Sequence, residues 1–226
     1  VTSSTGGTVN LTSVESAVLT GGAAANTFAV NNWTGSSATI IGGTGTDNLS
    51  ISQGAVASAV FNPSNSAVNG LSGTVTLPAL SLAFSQFEAG STMTLTGAAA
   101  ATVQTLGGSD VLTLDNAGVA TRSRVTGTTA GIAVAPLQFI GATSFTVDAG
   151  NGDSSTGNDS VTVGSLINSG LTAVVISTGA GADAISFNTP FAGSALQTVT
   201  VNGGNENDTL NVSMDSFTLL GANAFT

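Results

Sequence analysis

The sequence predicts an all-β fold: a right-handed parallel β-solenoid of about nine or ten coils, with an antiparallel, pilin-like β-sandwich as the alternative. Three observations lead there. Short stretches alternating apolar and polar residues, bounded by Gly, Asn and Asp, run the length of the chain, which is the pattern of strands joined by turns. Helix signals are nearly absent. One turn-and-strand unit recurs, its turn residue falling at Asn26, Asp47, Asp110, Asp159, Asp183 and Asp208, at spacings of 21, 63, 49, 24 and 25 residues. These are close to single, double or triple a period of about 21–25, the size of one solenoid coil. A coil that small leaves its apolar face open until a neighbour stacks on it.

The elements follow in chain order. Thr8–Leu11, Ala17–Leu19, Thr27–Val30 and Ala38–Ile41 read as strands. Ile41–Ile51 is the clearest copy of the unit. Its glycines permit positive φ, Asp47 punctuates the turn, and Leu49 and Ile51 then share one face of a strand while Asn48 and Ser50 share the other. Gln53–Phe87 contains Pro63 and Pro78 and lacks the Gly-Asp turns, so it reads as an insertion or looped-out coil, or as the best support for a sandwich. Further strands are expected at Gly73–Leu77, Met93–Thr96, Val111–Leu114, Ser144–Val147, Ser160–Val163, Thr172–Ile176, Ala184–Phe187, Thr198–Val201 and Thr209–Val212. Gly97–Thr102 is Ala-rich but short, and reads as a degenerate turn-strand unit. Asn116–Pro136 is the weakest-patterned remaining segment and the best linker or lateral loop.

A longer recurrence overlies the short one. In Ser13–Gly22 and in Gln86–Gly97 an apolar residue and a glutamate (Glu15, Glu88) precede a strand that runs into a Gly turn, and Phe139–Gly150 repeats this without the glutamate. The chain is thus one repeat-built β domain, 1–226, with super-repeats 1–83, 84–137 and 138–226. The ten Phe and Trp33 are expected in the core or in stacked ladders.

Composition narrows the function classes. Charged residues are 6% of the chain and its formal charge is −10, against about 25% charged in a typical soluble domain. The two cations are Arg122 and Arg124, and there is no Lys, His, Cys or Tyr. Phosphates cannot be neutralised by such a chain, so nucleic acid is not an expected partner. Apolar runs such as Leu77–Phe84 are far short of the roughly 20 residues of a membrane span. A surface hydrated by neutral hydroxyls and amides suits a secreted or cell-surface protein. No signal peptide is visible from Val1 onward, so the chain reads as processed or as part of something longer. Sequons at Asn10, Asn32, Asn48, Asn158, Asn207 and Asn211 permit glycosylation.

Catalysis is not expected, because the chain has no His, Lys, Cys or Tyr to act as base or nucleophile. Arg122 and Arg124 in a lyase-like role on a β-helix, and a carboxylate pair for glycoside hydrolysis, are the remote enzymatic alternatives. A cation is the better candidate ligand. Asp148, Asn151, Asp153, Asn158 and Asp159 gather three carboxylates and two amide carbonyls in one Gly-rich loop, the oxygen-rich, flexible environment that Ca²⁺ takes. Asp47 and Asp208 are secondary candidates, each more readily explained as making its turn.

Gly42-Gly43-Thr44-Gly45-Thr46-Asp47-Asn48-Leu49-Ser50 fits the nonapeptide Gly-Gly-x-Gly-x-Asp-x-U-x in full, with U a large apolar residue, and the copy from Gly203 fits except at Glu206. The stretch resembles the calcium-binding repeat of the RTX family, over about ten residues per copy. That family sandwiches each ion between consecutive nonapeptides, whereas here the copies are 21 or more residues apart. With its degenerate repeats the chain resembles segments of large bacterial secreted and surface β-solenoid proteins. The resemblance implies an extracellular structural protein, a building block of a surface layer, matrix or filament, whose partners are copies of itself. The alternative it implies is a calcium-binding adhesion module that recognises surface glycans.

Overall fold

Alternation of apolar and polar side chains, interrupted by glycine turns, sets the strands. A computed structural model describes residues 14–64, 70–153, 157–188 and 194–213. In chain order the strands are β1 (Ser16–Thr20), β2 (Thr27–Asn31), β3 (Ser37–Ile41), β4 (Asn48–Pro63), β5 (Leu71–Leu77), β6 (Leu80–Phe87), β7 (Thr92–Gln104), β8 (Asp110–Asp115) and β9 (Arg122–Thr129). They continue as β10 (Ile132–Ala133), β11 (Gln138–Ile140), β12 (Ser144–Asp148), β13 (Ser160–Val163), β14 (Ala173–Ser177), β15 (Ala184–Phe187), β16 (Thr198–Asn202) and β17 (Thr209–Val212). The fold is all-β, a single mixed and largely parallel hydrogen-bonded network. Among the described residues no helix is long and apolar enough to cross a membrane.

Four parallel ladders carry the architecture. One joins β1, β3 and β6. A second joins β2, the first half of β4, the first half of β7, and β11. The second halves of β4 and β7 begin a third, which continues through β12, β14 and β16. The fourth is β8, β13, β15 and β17. The long strands β4 and β7 bend between their halves, with a register shift between Ser52 and Val56. Gly97, at φ +106°, permits the bend, since a Cβ there would run into the carbonyl oxygen of Gly54.

Like residues stack on like. Phe145 faces Val174 and Val147 faces Ile176, while Val161 faces Ile185 and Val163 faces Phe187. All eight are buried, and their strand neighbours on the other face are half-buried. Each such side chain taken from water is worth about 1.5–3 kcal/mol. Aromatic contacts fill part of the interior, with Phe61 and Phe84 stacked at 5.8 Å and Phe139 edge-on to Phe145 at 5.4 Å. Trp33 is half-buried against this core.

The structure corrects the sequence reading in two places. Gln53–Phe87 is not looped out. It completes β4 and makes the antiparallel meander β4–β5–β6. Asn116–Pro136 is not a loop either, for β9 pairs antiparallel with β8 and with β11, and β10 folds back on β9. These two excursions also break the expected even repeat. Residues linked between successive rungs lie 21, 44, 49, 29, 24 and 25 apart along the chain. Dividing the length by 21–25 therefore counts hairpins as coils. Thr8–Leu11 lies outside the described residues.

Candidate functional site: two columns of turn residues

The recurring unit is a strand, a six-residue turn and a second strand, seen between β1 and β2, β3 and β4, β14 and β15, and β16 and β17. The last turn residue is buried at Asp47 and Asp183, half-buried at Asn26 and exposed at Asp208. Glycine makes the room: a Cβ on Gly42 would come within 2.7 Å of Asp47 Oδ2. Between β12 and β13 the same turn is enlarged, and the Asp148–Asp159 loop is that enlargement.

These side chains form two columns. In the first, the Asn26 amide donates to Asp47 Oδ1 at 2.6 Å, Asn26 Nδ2 donates to the same oxygen at 3.1 Å, and the Asp47 amide donates to Ser91 Oγ at 3.2 Å. In the second, the amides of Asp110, Asp159 and Asp183 donate in turn to Oδ1 of Asp159, Asp183 and Asp208, at 2.8, 2.8 and 3.0 Å. Every backbone link runs the same way, from a turn amide to a side-chain oxygen of the next rung.

Asp47, Asp159, Asp183 and Asp208 each spend one oxygen on this link, and Asp110 spends one on the Thr105 hydroxyl. The other is left without a hydrogen-bond partner among the described residues at Asp47, Asp110, Asp159 and Asp183. These four residues are 0, 0, 3 and 2% exposed. Asp153, supplied by the enlarged turn, accepts the Gly108 amide at 2.7 Å and lies beside Asp159. Its other oxygen is also buried and unpartnered. Burial, reinforced by the charges of Asp153, Asp110 and Asp183, pushes the Asp159 carboxyl up to about 8, against the opposing pull of the Asp110 amide. Burial likewise raises Asp110, with the Thr105 and Thr129 hydroxyls and the Ala130 amide working against it. Asp153 is raised by burial first, with the charges of Asp110 and Asp183 adding to it. The arginines engage other groups: Arg124 pairs with Asp115 at 2.8 Å across the β8–β9 hairpin, and Arg122 donates to Gln138 Oε1 at 2.5 Å.

No protein family, curated protein or solved structure matches the chain. Its chemistry is therefore read from its own residues. Of the expected cation ligands, the fold brings Asp153 and Asp159 together and sends the others elsewhere. Asp148 accepts from Gln104 Nε2 at 2.8 Å, Asn151 Nδ2 reaches the Thr105 carbonyl at 3.4 Å, and Asn158 Oδ1 accepts the Ala182 amide at 2.9 Å. Asp47 belongs to the other column, and Asp208 is exposed at the end of the second. Residues 154–156 of the loop lie outside the described residues. Among the described residues no three carboxylates are arranged to hold one ion. Asp110 and Asp183, which loop composition alone does not single out, complete the buried column. Their signal was the alignment of turn aspartates.

Proposed function

We propose that this chain is an extracellular structural protein, a right-handed parallel β-solenoid segment that serves as a building block of a cell-surface layer, matrix or filament. The observation that carries the reading is the in-register stacking of successive parallel rungs, with apolar side chains over apolar side chains and turn over turn. Such stacking makes a stiff rod whose stability is built from nearest-neighbour contacts. The neutral hydroxyl and amide surface and the likeness to repeat segments of bacterial surface proteins support a place outside the cell. Electron microscopy of the purified chain and immunolabelling of intact cells test it. Rods or their assemblies, with label at the surface, are expected; uniform particles and internal label would overturn it.

A second reading, a calcium-binding adhesion module for surface glycans, is favoured by the buried, unpartnered oxygens of Asp153 and Asp159. These two residues would hold the ion, with backbone carbonyls and water completing its six to eight oxygens. The RTX-type sandwich needs consecutive nonapeptides, whereas here the turn motifs lie 21 or more residues apart. Calorimetry with CaCl₂ and melting with and without EDTA test this reading. A melting temperature unmoved by EDTA would end it.

A further inference from the structure

We propose that the two ends of the stack dock head to tail, β1 and β2 of one copy continuing the ladders that β16 and β17 end in another. The inference rests on the structural reading above and adds to it a polarity and a seam. Among the described residues β1 and β2 are paired on one side only, with β3 and β4, and β16 and β17 on one side only, with β14 and β15. Open ladder edges are templates for another strand.

The two ends share one geometry. From Ser16 to Thr27 is 11 residues, and so is Thr198 to Thr209, each pair starting two strands joined by a six-residue turn. Extending the register by one rung sets Ala17 of the incoming copy on Val199, Leu19 on Val201 and Phe28 on Leu210. These are the inward rows: Val199 and Val201 stack on the buried Val174 and Ile176, and Ala17 and Leu19 on the buried Ala38 and Ile40. At the ends Leu19, Phe28, Val201 and Leu210 are only partly buried, so a further rung covers apolar surface on both sides of the seam.

The turn columns give the joint its direction. Within each column the turn amides of Asn26 and Asp47, and of Asp110, Asp159 and Asp183, donate to a side-chain oxygen of the next rung. The Asp208 amide has no acceptor among the described residues, and Asn26 Oδ1 accepts no hydrogen bond among them. Head-to-tail docking places one over the other. It also matches charge. The last turn carries Glu206 and Asp208, while the first, Gly21–Asn26, is neutral and has an amide where later turns carry aspartate. Glu15, beside β1, falls opposite the uncharged Gln197. A head-to-head or tail-to-tail joint would set like turns together and leave the amide without its acceptor.

The chain has no cysteine, so cross-linking can be placed at will. Val18 and Thr200 are exposed and fall opposite each other across the seam, within the Cα separation a disulfide spans. Asn211, also exposed, does not face Val18. Full-length Val18→Cys, Thr200→Cys and Asn211→Cys variants, checked for unchanged circular dichroism, are mixed in pairs, oxidised and run without reductant. A dimer is expected from Val18→Cys with Thr200→Cys, none from Val18→Cys with Asn211→Cys, and a ladder of multimers from the double variant Val18→Cys/Thr200→Cys. Equal dimer from Val18→Cys alone would mean a head-to-head joint and overturn the proposal. No dimer in either mixture, with a single monomer in sedimentation, would mean that the ends are covered by the chain's own residues, and would also overturn it. Assemblies seen by microscopy without the Val18–Thr200 cross-link would leave the structural reading standing and refute the head-to-tail joint alone.

Discussion

Asp159 illustrates how a single residue can work against itself. Its Oδ1 fixes the Asp110 amide, yet its charge is buried beside Asp153 and Asp110, with no arginine paired to it among the described residues. A carboxyl raised on folding binds its proton more tightly in the folded state than in the unfolded one. The stability it contributes is complete below the ordinary carboxylate value of about 4 and is lost as pH rises through the folded value, here about 8. The melting temperature is therefore expected to fall from pH 4 to pH 8, and Asp159→Asn to flatten that slope while keeping the acceptor; a slope unchanged in the variant would refute the assignment. Asp47 allows a cleaner deletion. Asp47→Ala strips the Asn26 amide and Nδ2 of their shared acceptor, at an expected cost of about 1–3 kcal/mol by urea denaturation. The turn aspartates were legible in the sequence as a repeating set. Their division into two columns was not. The 63 residues from Asp47 to Asp110 mimic three periods, whereas the partner of the Asp47 amide is Ser91, 44 residues on.

At the scale of elements, legibility followed the inward-facing side chains. Strands whose inward positions are Val, Ile, Leu or Phe, such as β12 to β15, stood out by alternation. β9 did not, because two of its buried positions are Ser123 and Thr129, so hydroxyls sit where apolar residues would have marked the period. Ser72 and Gly73 hide part of β5 in the same way. Pro63 and Pro78 read as breakers, yet one ends β4 and the other sits in the β5–β6 turn, where no central ladder bond is lost. The bend in β4 and β7 is sensitive to a single side chain. Gly97→Ala forces a Cβ against the Gly54 carbonyl at positive φ, so a loss of more than about 1 kcal/mol is expected. An unchanged midpoint in thermal unfolding would show that the bend yields.

Across the whole molecule, protection should follow ladder position. β7 and β12 have parallel neighbours on both sides, whereas β1, β16 and β17 have one each among the described residues. Hydrogen exchange of the monomeric chain is expected to be slowest in β7 and β12 and fastest at the outer strands; uniform protection would mean a single all-or-none unit instead. The long strands β4 and β7 have a further consequence. Both are shared between ladders that otherwise belong to different halves, so the chain has a splice at its middle. Each half carries its own column, and the two also meet through the antiparallel strands β5, between β4 and β6, and β9, between β8 and β11. A duplication that adds a strand–turn–strand unit on one side need not disturb the turn column on the other. Length variants of this fold should therefore differ by whole strand–turn–strand units on one side of β7.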